Sequence, residues 1–126
     1  MKLITTTLAV LLCFAVFSQT TIKLEDVNKH IGDSVTVCGK VYTARYMDAA
    51  KDKPTFLNIG AAYPNQVLTV VIWDGVRQQF HGKPEILFAN KEICITGRIQ
   101  LYKDKPQIVI DKTDKIVCID WNYCPK

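Results

Sequence analysis

Val37-Cys38-Gly39-Lys40-Val41-Tyr42 and Cys94-Ile95-Thr96-Gly97-Arg98-Ile99-Gln100-Leu101-Tyr102 are two versions of one phrase. Each leads to the tetrapeptide Lys-Asp-Lys-Pro, at Lys51 to Pro54 after a loop and at Lys103 to Pro106 directly, and each tetrapeptide opens an apolar run, Thr55 to Ile59 and Gln107 to Ile110. Val35, Val37 and Val41, and likewise Ile93, Ile95, Ile99 and Leu101, alternate with a period of two, the mark of half-buried strands. A glycine inside each strand suits a bulge or a sharp coiling of the sheet. Two strand, basic turn, strand units in one small chain predict a closed β-barrel.

Around these units, Leu24, Val27 and Ile31 recur at helical spacing and Gly32 ends the pattern, which predicts a short helix at Leu24 to His30. The first strand then runs from Ser34 to about Tyr46. Pro54 marks the start of a second, ending at Gly60, and Tyr63-Pro64-Asn65-Gln66 is a turn. Val67 to Trp73 is the strongest strand signal, apolar and β-branched, and Asp74-Gly75 closes it. A helical turn and loop from Val76 to Phe88 bridge to strand four, Glu92 to Tyr102, and strand five follows at Pro106 to Asp111. A short apolar piece, Ile116 to Ile119, precedes the tail Trp121-Asn122-Tyr123-Cys124.

Five strands with an excursion between the third and fourth is the order of an OB-fold. The expected fold is therefore all-β, a five-stranded Greek-key barrel with a short N-terminal helix and a helical turn between strands three and four. The stretches Ile31 to Val41, Pro54 to Gly60, Tyr63 to Gln66, Thr69 to Trp73, and Gly97 through Ile110 resemble the bacterial OB-fold nucleic-acid-binding domains related to the anticodon-binding type. The resemblance covers about residues 24 to 119 and implies single-stranded nucleic acid as the ligand.

The 126-residue chain carries a formal charge of +4. Met1-Lys2-Leu3 followed by the apolar stretch Leu8 to Phe17 reads as a secretory signal at residues 1–18, too short to span a bilayer. Its removal takes away Lys2 and no acid, leaving +3 on a single domain, 19–126, with no further membrane span. That mild balance permits polyanion binding without demanding it. The expected location is secreted or periplasmic.

Candidate ligand-binding residues lie on or beside the two matched loops. Arg45, Tyr46, Lys51 and Lys53 belong to the first, Tyr102, Lys103 and Lys105 to the second, and Phe56, Asn58, Thr69, Val71 and Trp73 to the strands between. Lysines suit phosphates, and bases stack on Tyr46, Tyr102, Phe56 or Trp73 at about 1 to 3 kcal/mol per contact. The lysines taken alone read more readily as soluble turns, the aromatics flanking both turns shift the reading toward a binding face, and Phe56 and Trp73 serve either the core or that face.

The expected mature chain keeps four cysteines, Cys38, Cys94, Cys118 and Cys124. An even number in an exported protein suggests disulfides. With Val35, Val37, Ile93 and Ile95 facing inward, Cys38 and Cys94 face outward; in an OB barrel strands one and four are neighbours, so the two could meet, leaving Cys118 to Cys124. A zinc site has neither the usual ligand spacing nor a nearby histidine, and free thiols are the remaining alternative.

Catalysis finds little support. The expected mature chain has one serine, Ser34, two histidines in unrelated segments, His30 and His81, and the acids Asp111, Asp114 and Asp120 around a turn. No nucleophile and base pair follows from these, and no metal or cofactor is expected. The reading is a non-enzymatic protein that binds single-stranded nucleic acid or another oligomeric polyanion. The alternative is a protein-interaction or stabilising module of the cell envelope, with Trp121 and Tyr123 as anchors.

Overall fold

The computed structural model describes residues 20–119. The expected signal segment, Trp121, Tyr123 and Cys124 lie outside the described residues. Among the described residues the strands are β1 (Thr20–Ile22), β2 (Ser34–Tyr46), β3 (Thr55–Ile59), β4 (Leu68–Ile72), β5 (Glu92–Tyr102), β6 (Lys105–Val109) and β7 (Ile116–Cys118). Leu24–His30 is a 3-10 helix, and two single-turn helices, α1 (Asp74–Arg77) and α2 (Pro84–Leu87), fill the excursion between β4 and β5.

The strands are ordered β1-β2-β3-β4-β6-β5-β7, and a further pairing of β2 with β5 closes the five middle strands into a barrel. β4 runs parallel to β6, and the other barrel neighbours are antiparallel. This is the OB-fold barrel. β7 extends the sheet beyond β5, in place of the short apolar piece expected there. β1 adds an unforeseen strand that pairs in parallel with β2.

β2 and β5 each serve two halves of the barrel. β2 pairs with β5 over Ser34 to Lys40 and then with β3 over Val41 to Tyr46. β5 pairs with β2 over Glu92 to Arg98 and then with β6 over Ile99 to Tyr102. Gly39 and Gly97 sit just before these hand-overs. A Cβ on Gly39 would lie 2.6 Å from Ile59 Cγ2 and one on Gly97 2.5 Å from Ile108 Cγ2. The glycines thus let the coiled strands approach at the barrel's corners.

The alternating residues supply the core: Val35, Val37, Val41, Ile93, Ile95 and Ile99 are buried, joined by Leu57, Ile59, Leu68, Val70, Ile72 and Ile108. Each such side chain contributes roughly 1.5 to 3 kcal/mol of gross transfer free energy. Leu101 keeps the phase of the pattern but runs past the core and is exposed. Cys38 and Cys94 are register partners and form a disulfide with a 4.0 Å Cα separation. Beside them the hydroxyls of Thr36 and Thr96 meet at 2.9 Å.

The excursion after β4 is held by an ion pair and an aromatic pair. Arg77 Nη2 donates to Glu85 Oε1 at 2.8 Å, and the Phe80 and Phe88 rings meet edge to face at 5.7 Å.

Candidate functional site

One irregularity decides which side chains reach the outer face of the barrel. Val41 pairs with Ile59, but Thr43 then pairs with Asn58, so Tyr42 is an extra residue in β2. A bulge of this kind reverses the in and out parity of everything after it. Ala44 therefore packs against the core. Thr43 and Arg45, which an unbroken alternation from Val41 would turn inward, line the outer surface. The bulge lies at Tyr42, three residues beyond the glycine whose sequence signal suggested one.

Pairing registers then align neutral polar side chains across four strands: Thr43 with Asn58, Asn58 with Thr69, and Thr69 with Gln107. Asn58 is only 5% exposed. Its Nδ2 donates to Thr43 Oγ1 at 2.9 Å, and its Oδ1 accepts from Thr69 Oγ1 at 3.4 Å. Gln66 Nε2 donates to Thr69 Oγ1 at 3.1 Å. Thr43 Oγ1 also accepts from the backbone N–H of Tyr63 at 3.2 Å, which fills both its lone pairs and leaves its own hydrogen to donate.

This row forms the floor of a groove of about 570 Å³. Phe56 and Arg45 line it beside the row, which settles Phe56 on the outer face, half-buried. Its rim is built by two turns. Lys105 Nζ donates to the carbonyl of Pro64 at 3.0 Å, tying the β5–β6 turn to the β3–β4 turn. Tyr63, 70% exposed, and Tyr102, 59% exposed, stand at this rim with Lys103, whose ammonium lies 5.5 Å from the Tyr102 ring centroid. Among the described residues the lining holds Arg45, Lys103 and Lys105 and no carboxylate.

The two Lys-Asp-Lys-Pro turns do not share this rim. They follow β2 and β5, which are antiparallel neighbours, so they lie at opposite ends of the barrel. Their backbones also differ: left-handed φ angles fall on Asp52 (60°) and Lys53 (41°) in the first, but on Lys103 (48°) and Asp104 (62°) in the second. The same four residues thus build turns offset by one position. A second hollow of about 500 Å³ lies at the first turn, lined by Ala50, Asp52, Lys53, Trp73, Asp74 and Gly75. The N–H of Asp74 donates to the carbonyl of Asp52 at 3.3 Å, which pins that loop to the end of β4.

Of the residues singled out from sequence, the groove gathers Arg45, Phe56, Asn58, Thr69, Tyr102, Lys103 and Lys105. Lys53 and the exposed Trp73 belong to the second hollow, and Lys51 lines neither. Val71 is buried opposite Phe56. Tyr46 leaves the groove altogether, because the Tyr42 bulge turns it toward the β4–β5 excursion, where the Arg77 guanidinium carbon sits 3.6 Å from its ring centroid. Thr43, Tyr63, Gln66 and Gln107 line the groove without having been singled out. Tyr63 had a signal, an exposed aromatic in a turn, and Gln107 sits two residues past Lys105 in the same strand phase. Thr43 had none, since only the bulge brings it outward.

No protein-family model matches the chain, and no curated protein matches its sequence. Solved structures do share its fold. A chain in the crystal structure of yeast Stn1 and Ten1 superposes with a TM-score of 0.58 at 10% identity, over 83% of this chain and 65% of that one. Asparaginyl-tRNA synthetase from Pyrococcus horikoshii superposes with a TM-score of 0.51 at 16% identity, over 78% of this chain. This chain spans 22% of the synthetase's length.

Proposed function

We propose that this protein is an exported, non-enzymatic OB-fold protein that binds single-stranded nucleic acid, or an extended polyanion like it, in the groove across β2, β3 and β4. The observation that carries this reading is the lining: Phe56, Tyr63 and Tyr102 with Arg45, Lys103 and Lys105, and no acid among the described residues. Aromatic faces accept successive bases whatever their identity, and cations follow the phosphates. A protein that shares the fold bears tRNA in its name. Export is supported by the signal-like residues 1–18 and by the Cys38–Cys94 bond, since disulfides persist in oxidising compartments.

The test is fluorescence anisotropy of labelled single-stranded oligonucleotides at several salt concentrations. Three phosphate contacts give a slope of log affinity against log salt of about −2. No saturable binding at low salt would overturn the reading. An intact mass beginning near Gln19 in the exported protein checks the location. A role as an envelope protein-interaction module is the second reading, favoured by the fold's occurrence in a structure of two proteins together, Stn1 and Ten1. Binding to an envelope protein that ignores salt would support it instead.

A further inference from the structure

The neutral polar side chains of the groove are not equally committed. Thr43, Asn58, Gln66 and Thr69 bond to one another. The side-chain amide of Gln107, the next member of the same row, meets no partner among the described residues. Gln107 is half-buried in β6, beside Thr69 on one flank and two residues from the rim lysine Lys105. It therefore stands in the groove as an unspent donor and acceptor pair, with its neighbour Thr69 already engaged.

Building on the nucleic-acid reading, we propose that Gln107 reads a base edge, so that the groove selects among bases rather than accepting any single strand. Phosphate contacts position a strand and carry no sequence information. Stacking on Phe56, Tyr63 and Tyr102 is likewise tolerant of sequence, because every base has a π-face. A primary carboxamide differs from both. It holds an N–H donor and a C=O acceptor side by side, the pattern that a base presents on its hydrogen-bonding edges, and single-stranded recognition works through those edges. A carboxamide that is half-buried beside fixed neighbours has less freedom to reorient than one on an open surface.

The experiment compares labelled homopolymers of deoxyadenosine, deoxycytidine and thymidine of equal length by anisotropy, for the parent and for Gln107→Ala and Gln107→Glu. The parent should separate its best and worst homopolymer by about tenfold, the scale of one good bidentate amide contact. Gln107→Ala should compress that difference to about twofold while leaving the salt slope unchanged. Gln107→Glu keeps the shape but loses both donors, so it should weaken binding most for the base the parent prefers. Thermal melts establish that each variant is folded, and either one suffices for the comparison. A parent that binds all three homopolymers alike overturns this inference while the nucleic-acid reading stands. A parent that binds none overturns both, and selectivity that survives in a folded Gln107→Ala or Gln107→Glu removes the role from Gln107.

Discussion

The ammonium of Lys105 donates to the carbonyl of Pro64 across 3.0 Å, whereas Lys53, its counterpart in the repeated tetrapeptide, lines the other hollow together with Trp73. Identical local sequence is thus put to different use at the two ends of one barrel. The turn that holds Lys105 frames the groove, and the other does not.

Charge reversal at the two turns should therefore be unequal. Lys103→Glu with Lys105→Glu should lower oligonucleotide affinity steeply and flatten the salt slope by about 1.4, roughly 0.7 per lost contact. Lys51→Glu with Lys53→Glu should change affinity by about twofold or less, since neither residue lines the groove and remote charges are screened within about 10 Å at ordinary salt. Equal losses from both pairs, measured by anisotropy, would contradict the assignment of the groove to one end.

Alanine at the corner glycines should destabilise the barrel. A methyl at Gly39 or Gly97 would collide with Ile59 or Ile108, and overpacking of this kind costs about 1 to 3 kcal/mol. Gly75 provides the contrast. Among the described residues nothing lies within 4 Å of a Cβ built there, and it is helical, so Gly75→Ala should be neutral or slightly stabilising. Urea midpoints for the three variants decide the matter, and a Gly97→Ala protein as stable as the parent would refute the close approach.

Replacement of Cys38 and Cys94 together by serine should lower stability by about 2 to 5 kcal/mol, because the bond closes a long loop, its ends 56 residues apart, in the unfolded chain. Groove binding should survive in the folded fraction, since neither cysteine lines the groove. Thermal melting reads the first effect and anisotropy below the midpoint the second. An unchanged melting temperature would show the bond to be dispensable.

The ion pair Arg77 to Glu85 should behave as a coupled unit. Their side chains are 15% and 16% exposed, and Arg77 Nε and Glu85 Oε2 have no hydrogen-bond partner among the described residues. Arg77→Met or Glu85→Met alone should cost roughly 2 kcal/mol by leaving its mate charged and without its ion-pair partner. Arg77→Met with Glu85→Met should cost less than the sum of the two single losses. Additive losses in a denaturation cycle would argue against the coupling.

The bounds of β2 and β5, the inward rows Val35, Val37, Val41 and Ile93, Ile95, Ile99, and the meeting of Cys38 with Cys94 were all legible in the residues. Each depends on alternation within one strand, which the repeated phrase carried, or on which strands adjoin, which followed from the OB-fold order that the strands matched. The groove was legible in part. Phe56, Asn58 and Thr69 belong to strands whose alternation is unbroken, whereas Tyr46 was drawn away and Thr43 brought in by one extra residue at Tyr42.

What the sequence by itself determined is the period of each strand and hence a barrel with a buried aliphatic interior, because a side chain's choice of inside or outside is made by its immediate neighbours. The tertiary structure decided the rest: the parity of β2 beyond Tyr42, the alignment of Thr43, Asn58, Thr69 and Gln107 in one row, and the assignment of Lys105 and Lys53 to opposite ends. Those features depend on the register between strands far apart in the chain, which is set when the whole barrel packs and closes.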